Sequence, residues 1–249
     1  MAKKHFAALV MAAVMVLQAC FAMAEHAVLP LESTEYYPDK ENWTYCYEYR
    51  VPQLETGMTD VAAMMVNDTL VTALDEMREL VLPMFAASEE MTMNGQVTIR
   101  QDYKVTCNND HFFSLVITRT ETDAVGSFYS LDSEVFDVGG DYPGETLTLR
   151  GVVMVGESSD QISRAVMPVL YEKFVLLQEE GVCRRDITRE DFEALCSPTL
   201  DYYADEMGNA VFFLQPSLME NPSLDVPTFT FTPDELAALC ENVPAEAEE

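Results

Sequence analysis

The sequence predicts an α+β fold, two antiparallel-sheet-plus-helix halves packed as one compact body. Segments in which apolar and polar residues alternate strictly, as half-buried strands do, outnumber segments of helical period. Helical stripes appear once per half rather than between every strand, which excludes a doubly wound α/β sheet. No internal repeat or low-complexity linker interrupts the chain.

The first 24 residues stand apart as a signal segment. Lys3 and Lys4 precede an apolar run from Phe6 to Leu17, too short to span a bilayer as a mature helix. Ala22-Met23-Ala24 is a small-x-small cleavage site that would leave Glu25 first. Leu17-Gln18-Ala19-Cys20 resembles a lipobox, which would leave Cys20 lipidated at the new N-terminus. Both alternatives predict export, with the mature protein secreted or lipid-anchored and without a transmembrane segment. About 220 residues then remain, enough for a substantial core. They divide into an N-terminal half (residues 25–152), a C-terminal half (153–242) and an acidic tail (243–249). The sequence predicts residues 25–30 and 243–249 as the least ordered pieces.

The N-terminal half begins with an aromatic strand, residues 43–54. Trp43, Tyr45, Tyr47, Tyr49 and Val51 occupy alternate positions and so share one face. That face is either core or an exposed recognition surface, because a tyrosine at an edge presents a polar tip. Next comes an amphipathic helix with Ala63, Val66, Leu70, Leu74, Met77 and Val81 on one side, and Pro83 is expected to end it. Residues 96–107 and 111–121 read as a strand hairpin across Asn108-Asn109-Asp110. Residues 126–153 read as another strand pair around the turn-rich GGDYPGE. Asp137, Asp141 and Glu145 cluster there, a set able to meet a Ca²⁺ ion, although the spacing fits no EF-hand loop and no cofactor or metal is predicted.

In the C-terminal half Ser158 and Gln161 have capping-box spacing at the start of a helix carrying Ile162, Val166, Leu170, Phe174 and Leu177. Pro168 should kink it or split off its first turn. A short helix over 188–196 follows, then a hairpin pairing 200–205 with 210–216 across Glu206-Met207-Gly208-Asn209. A strand over 226–231 leads to a closing helix capped by Thr232, with Pro233 in its first turn and Glu235 completing a capping box.

Charge sets the widest limit on function. The chain carries 43 Asp and Glu against 14 Lys and Arg, a net charge of −29. Removal of Lys3 and Lys4 with the signal segment leaves 12 bases and a net charge of −31. Such a surface excludes nucleic acid as a partner, since phosphate contacts need Lys and Arg, and attracts cations and basic proteins. Cys46, Cys107, Cys183, Cys196 and Cys240 remain after either cleavage, an odd set whose pairing the sequence leaves open. No CxxC, HExxH, GxSxG, P-loop or GxGxxG motif is present. A Ser-His-Asp arrangement would have to use one of the two mature histidines, His26 or His111, and neither sits in a promising context.

The order of motifs resembles the extracellular region of RsiV-type anti-sigma factors, also found ahead of the catalytic domain in PdaC-type peptidoglycan deacetylases. The matching residues are Val51-Pro52-Gln53-Leu54 ending the aromatic strand, Asn67 in the helix, Ser114-Leu115 in the hairpin, and Phe136-Asp137, Gly144-Glu145, Leu147 and Leu149 beyond it. The long helix, the Phe-rich VFFLQP hairpin and the TPDEL helix extend the likeness over most of residues 36–241. The chain departs from the family at Ala124-Val125-Gly126-Ser127 and at NPSLDVP. The resemblance implies an exported cell-envelope binding or sensing module without catalysis. Its partner would be a cationic envelope protein such as lysozyme, or a cell-wall component. Tyr45, Tyr47, Tyr49, Asp137, Asp141 and Glu145 are the candidate partner-binding residues. The alternative is a hydrolase acting on cell-wall polysaccharide through a pair of carboxylates.

Overall fold

The structure, a computed structural model, describes residues 26–57, 60–87 and 95–243; both candidate cleavage sites lie outside the described residues. It is an α+β fold with a five-stranded sheet, a three-stranded sheet and helices on each. The first sheet runs in the order β1 (Val28–Tyr37), β2 (Tyr45–Leu54), β3 (Val97–Asn108), β4 (Phe112–Thr122) and β5 (Ser127–Asp137).

Not every pair in it is antiparallel. β2 and β3 run parallel, from Tyr45 opposite Val97 to Tyr49 opposite Gln101. The reason lies in the connection, because a parallel pair needs a crossover of a dozen or more residues and the chain supplies a helix there. That crossover is α1 (Val61–Glu76), a π-helical turn (Met77–Val81) and α2 (Leu82–Ala86). Pro83 therefore does not end the helix. In the wider turn the Leu82 N–H reaches the Met77 carbonyl, and Pro83, which has no N–H to place, sits at the start of α2.

The N-terminal segment also differs from expectation. Residues 28–37 form a full edge strand, β1, antiparallel to β2 from Val28 opposite Leu54 to Tyr37 opposite Tyr45. Its sequence, VLPLESTEYY, hides the strand because most of it is exposed and does not alternate. Beyond β5 the predicted second strand shrinks to one bridge, Phe136 with Thr146, and the chain turns into a short helix, α3 (Leu149–Val153), capped by Thr148.

The C-terminal half holds α4 (Ser159–Glu179), α5 (Arg189–Leu195), α6 (Pro233–Cys240) and a sheet of β6 (Tyr202–Ala204), β7 (Ala210–Phe213) and β8 (Thr228–Phe231). Pro168 lies inside α4, which stays unbroken across it. Ile162, Val166, Leu170 and Phe174 on either side of it are all buried in the same core, and that packing holds the helix together. Ser158 accepts the Gln161 N–H at 3.1 Å, but the Gln161 side chain does not return the bond to Ser158. It accepts from the Glu157 N–H at 2.7 Å and donates to the Val243 carbonyl at 2.8 Å, tying the end of the described chain to α4.

Two cores lie on opposite faces of the five-stranded sheet. Under α1 are Tyr45, Tyr47, Tyr49, Val51, Val66, Leu70, Leu74, Phe113, Leu115 and Phe136. On the other face Cys107 and Val135, which share it with Ser114, join the core of α3, α4 and the small sheet. There Phe174 and Phe192 pack with ring centroids 4.7 Å apart. Val116, Leu131 and Phe213 form a smaller bridge between the sheets. Each fully buried Phe or Leu contributes about 1.5–3 kcal/mol.

Candidate functional site

The tyrosine row points into the core. Tyr45, Tyr47 and Tyr49 are 1%, 0% and 6% exposed, so they offer a partner no surface in this structure. Trp43 lies outside the strand and stands edge-on to Tyr36 at 6.1 Å. The tyrosine hydroxyls build a polar cluster beneath the π-helical turn. Arg78, carried by that turn, donates to Glu35 at 2.5 Å and to Asp75 at 2.9 Å. Tyr49 donates to Glu35 at 3.3 Å, and Tyr37 donates to Glu35 at 2.9 Å and to the Arg78 carbonyl at 3.0 Å. Beside them Gln101 Oε1 accepts from Tyr47 at 3.0 Å and from Arg119 at 2.9 Å. Burial pushes the Tyr47 hydroxyl up to about 12. The cluster joins β1, β2, β3 and β4 to the crossover helix, and its donors and acceptors are matched to one another.

The three acids of the GGDYPGE loop do not converge. Asp137 is buried and accepts backbone N–H groups from Gly139, Gly140 and Tyr142 at 3.2, 2.5 and 3.0 Å. Asp141 and Glu145 are exposed. Among the described residues no group of three His, Cys, Asp or Glu side chains is placed to hold a metal ion. Asp137 is thus a loop organiser. Gly139 is required at that loop, since an added Cβ would lie 1.8 Å from the Asp110 carbonyl oxygen.

A concavity of about 600 Å³ lies on the outer face of β1–β3, away from α1. The residues between the tyrosines line it. Glu32, Arg50 and Asp102 form one row, with Arg50 3.3 Å from Glu32 and 3.2 Å from Asp102. Glu48 and Arg100 form the next at 2.8 Å. The positions were visible in the sequence, because Glu48 and Arg50 alternate with Tyr47 and Tyr49; that they would line a groove depended on the pairing of β2 with β1 and β3.

A smaller cleft, of about 380 Å³, separates the halves and is lined by Glu134, Thr146, Thr148, Asp160, Thr199 and Tyr202 among others. Burial, then the nearby Asp132, raises the Glu134 carboxyl above its ordinary value, against a hydrogen bond with Thr146. Tyr202 donates its hydroxyl to the Leu147 carbonyl at 2.9 Å. The histidines lie elsewhere. His26 is 3.5 Å from Asp60, whose other oxygen caps α1, and His111 stands exposed beside Asp110.

Charge is unevenly compensated over the surface. Arg50, Arg78, Arg100, Arg119, Arg184 and Arg189 are each paired with an acid of this chain. From Glu190 to Glu249 the sequence contains no Lys or Arg at all. All five described cysteines are buried and unpaired. No described helix is long and apolar enough to cross a membrane.

No family model matches this sequence, and no curated protein does. Among solved structures the chain is similar to a DUF3298 family protein from Pseudomonas aeruginosa, with a TM-score of 0.47 at 12% identity over 85% of this chain and 92% of that one. It is also similar to a DUF3298 family member from Bacteroides fragilis, with a TM-score of 0.54 at 12% identity over 90% of this chain and 95% of that one, a likeness of fold.

Proposed function

We propose that this protein is an exported, non-catalytic envelope module that binds a cationic protein. The observation that carries the reading is the uncompensated acid. With six arginines held in internal ion pairs and none following Arg189, the balancing charge must come from outside the chain. A basic protein supplies it, and the field of the acids speeds its approach. The resemblance to RsiV-type extracellular regions makes lysozyme the first partner to try. The test is titration with lysozyme, and with an unrelated protein of similar positive charge, across a salt series. Specific binding holds at about 0.15 M salt, where screening leaves only charges within about 8 Å effective. Equal affinity for both proteins, vanishing together as salt rises, would leave the acids a role in solubility alone. Export is tested separately by mapping the native N-terminus, expected at Glu25 or at a lipidated Cys20.

One observation favours the second reading, a hydrolase acting on wall polysaccharide. Glu134 lines the cleft between the halves with its carboxyl raised, as a general acid requires. Turnover of peptidoglycan by the purified protein, abolished in Glu134→Gln, would replace the first reading with this one.

A further inference from the structure

The cleft between the halves has the size and the walls of a ligand site. Its volume of about 380 Å³ falls within the range usual for small-ligand pockets, roughly 300–1,000 Å³, which form preferentially where domains meet. Ser133 on β5 donates to the Leu200 and Tyr202 carbonyls of the other half, so the two walls are tied together before any ligand arrives. Leu147 and the Tyr202 ring supply apolar surface within the cleft, and Leu200, 69% exposed, supplies more at the rim. The lining contains two carboxylates, Glu134 and Asp160, and no Lys or Arg. Thr146 holds the Glu134 carboxyl by a hydrogen bond, while burial and the nearby Asp132 raise it, and no base is among the groups that act on it.

We infer that this cleft receives a lysine side chain of the cationic protein, its ammonium on Glu134 and Asp160 and its methylene stem along Leu147 and Leu200. The inference rests on the binding-module reading and gives it a site. A lysine lays its stem on apolar surface and holds its charge at the tip, which suits apolar walls that carry carboxylates. An anion is excluded, because no positive charge in the lining would meet it. A metal ion would need a third ligand, and none is placed for one among the described residues. A sugar ring would find no aromatic face to lie on, since Tyr202, the one aromatic residue in the lining, is 5% exposed. The choice of lysine over arginine follows from Thr146. With that bond made, Glu134 is an incomplete mate for the two-pronged guanidinium, whereas an ammonium bonds as a point charge. The ammonium would also give a largely buried carboxylate the partner that its burial calls for.

The probe is N-acetyl-lysine amide, with the norleucine and arginine analogues as controls, read by ligand-observed NMR against the full chain at about 0.15 M salt. The lysine probe should bind measurably, the arginine analogue several-fold more weakly, and the norleucine analogue not at all. Glu134→Gln should weaken the lysine probe about tenfold or more, because a charge-assisted bond is lost. Leu200→Lys, at an exposed position, should fill the mouth with the chain's own ammonium and abolish binding, with circular dichroism and melting unchanged. Lysozyme binding should fall in the same variants. If lysozyme binds the wild type and both variants alike and the probe does not bind, the binding reading stands and this cleft is wrong. If the probe binds and responds to both variants while no cationic protein binds, the lysine site stands and the binding-module reading falls. Equal binding of the lysine and norleucine probes, or of the lysine and arginine probes, overturns the inference. Peptidoglycan turnover that is lost in Glu134→Gln overturns it as well, by assigning the cleft to the hydrolase.

Discussion

Gln215 stands against Leu131 as a neighbouring strand would. Its Oε1 accepts the Leu131 N–H at 3.4 Å, and its Nε2 donates to the Leu131 carbonyl at 2.9 Å. The same Nε2 donates to buried Asp201 at 2.7 Å. One side chain from the C-terminal half thus closes the edge of β5 where another strand could otherwise add, and locks the two sheets together.

Changing Gln215 to Leu should therefore cost more than its size suggests. The buried Asp201 carboxylate and the Leu131 carbonyl each lose a donor, at about 1–3 kcal/mol per unsatisfied group. Chemical denaturation should show a loss of about 2–4 kcal/mol on this basis. A loss below about 0.5 kcal/mol, the usual scale of a surface change, would mean the contact does not join the halves.

Stability should fall as pH rises from the ordinary carboxylate range near 4 upward. Burial raises the Asp201 carboxyl, against the Ser197 N–H and Gln215 that favour its charged form, and burial raises Glu134 and Glu121 too. A carboxyl raised in the folded state binds its proton more tightly there than in the unfolded chain. Its contribution is fully present below the unfolded value and is lost as pH climbs through the folded one. Repulsion among the 43 acids acts in the same direction. Melting temperature should be higher near pH 5 than near pH 8, and Asp201→Asn should flatten part of the slope. A melting temperature that rises steadily over this range would contradict the account.

Much of this fold is legible in the residues. The tyrosine strand, the β3–β4 hairpin, the Phe-rich hairpin and the capped final helix follow from alternation, Asn-rich turns and capping pairs such as Thr232 with Glu235. What escaped depends on long-range packing. β1 carries no alternation because an edge strand is half solvated, and its partner is set by β2 rather than by its own sequence. Pro83 and Pro168 break an isolated helix, but here a π-helical turn and a buried stripe override local preference. The site was less legible. The Tyr row gives its period but not its direction, since burial on that face requires knowing that α1 lies over it. Asp137, Asp141 and Glu145 are close in sequence, yet Asp137 spends its carboxylate on its own loop.

The tyrosine row now has a direct test. Tyr47→Ala removes a fully buried ring and leaves Gln101 with Arg119 alone, so it should destabilise by about 3–5 kcal/mol. Tyr47→Phe keeps the packing and loses one hydrogen bond, at about 1 kcal/mol. If Tyr47→Ala melts like the wild type but loses partner binding, the row belongs to a recognition surface after all.

Export, as proposed, would bring the chain into oxidising conditions, yet Cys46, Cys107, Cys183, Cys196 and Cys240 are all buried and unpaired. Burial pushes Cys107 and Cys183 up to about 11 and, with Asp201 nearby, Cys196 up to about 12. At neutral pH very little thiolate forms, and the thiolate is the species that alkylates and exchanges. Iodoacetamide at pH 7.5 should therefore leave all five unmodified in the folded protein, as read by peptide mass mapping. After denaturation each should react fully. Because the folded core shields them, Gln215→Leu should expose them at lower denaturant than the wild type, Cys196 included, which lies on the same side of the clamp as Asp201. Rapid labelling of any of the five in the native protein, or a native disulfide joining two of them, would show that the core is looser or differently packed than the fold described above requires.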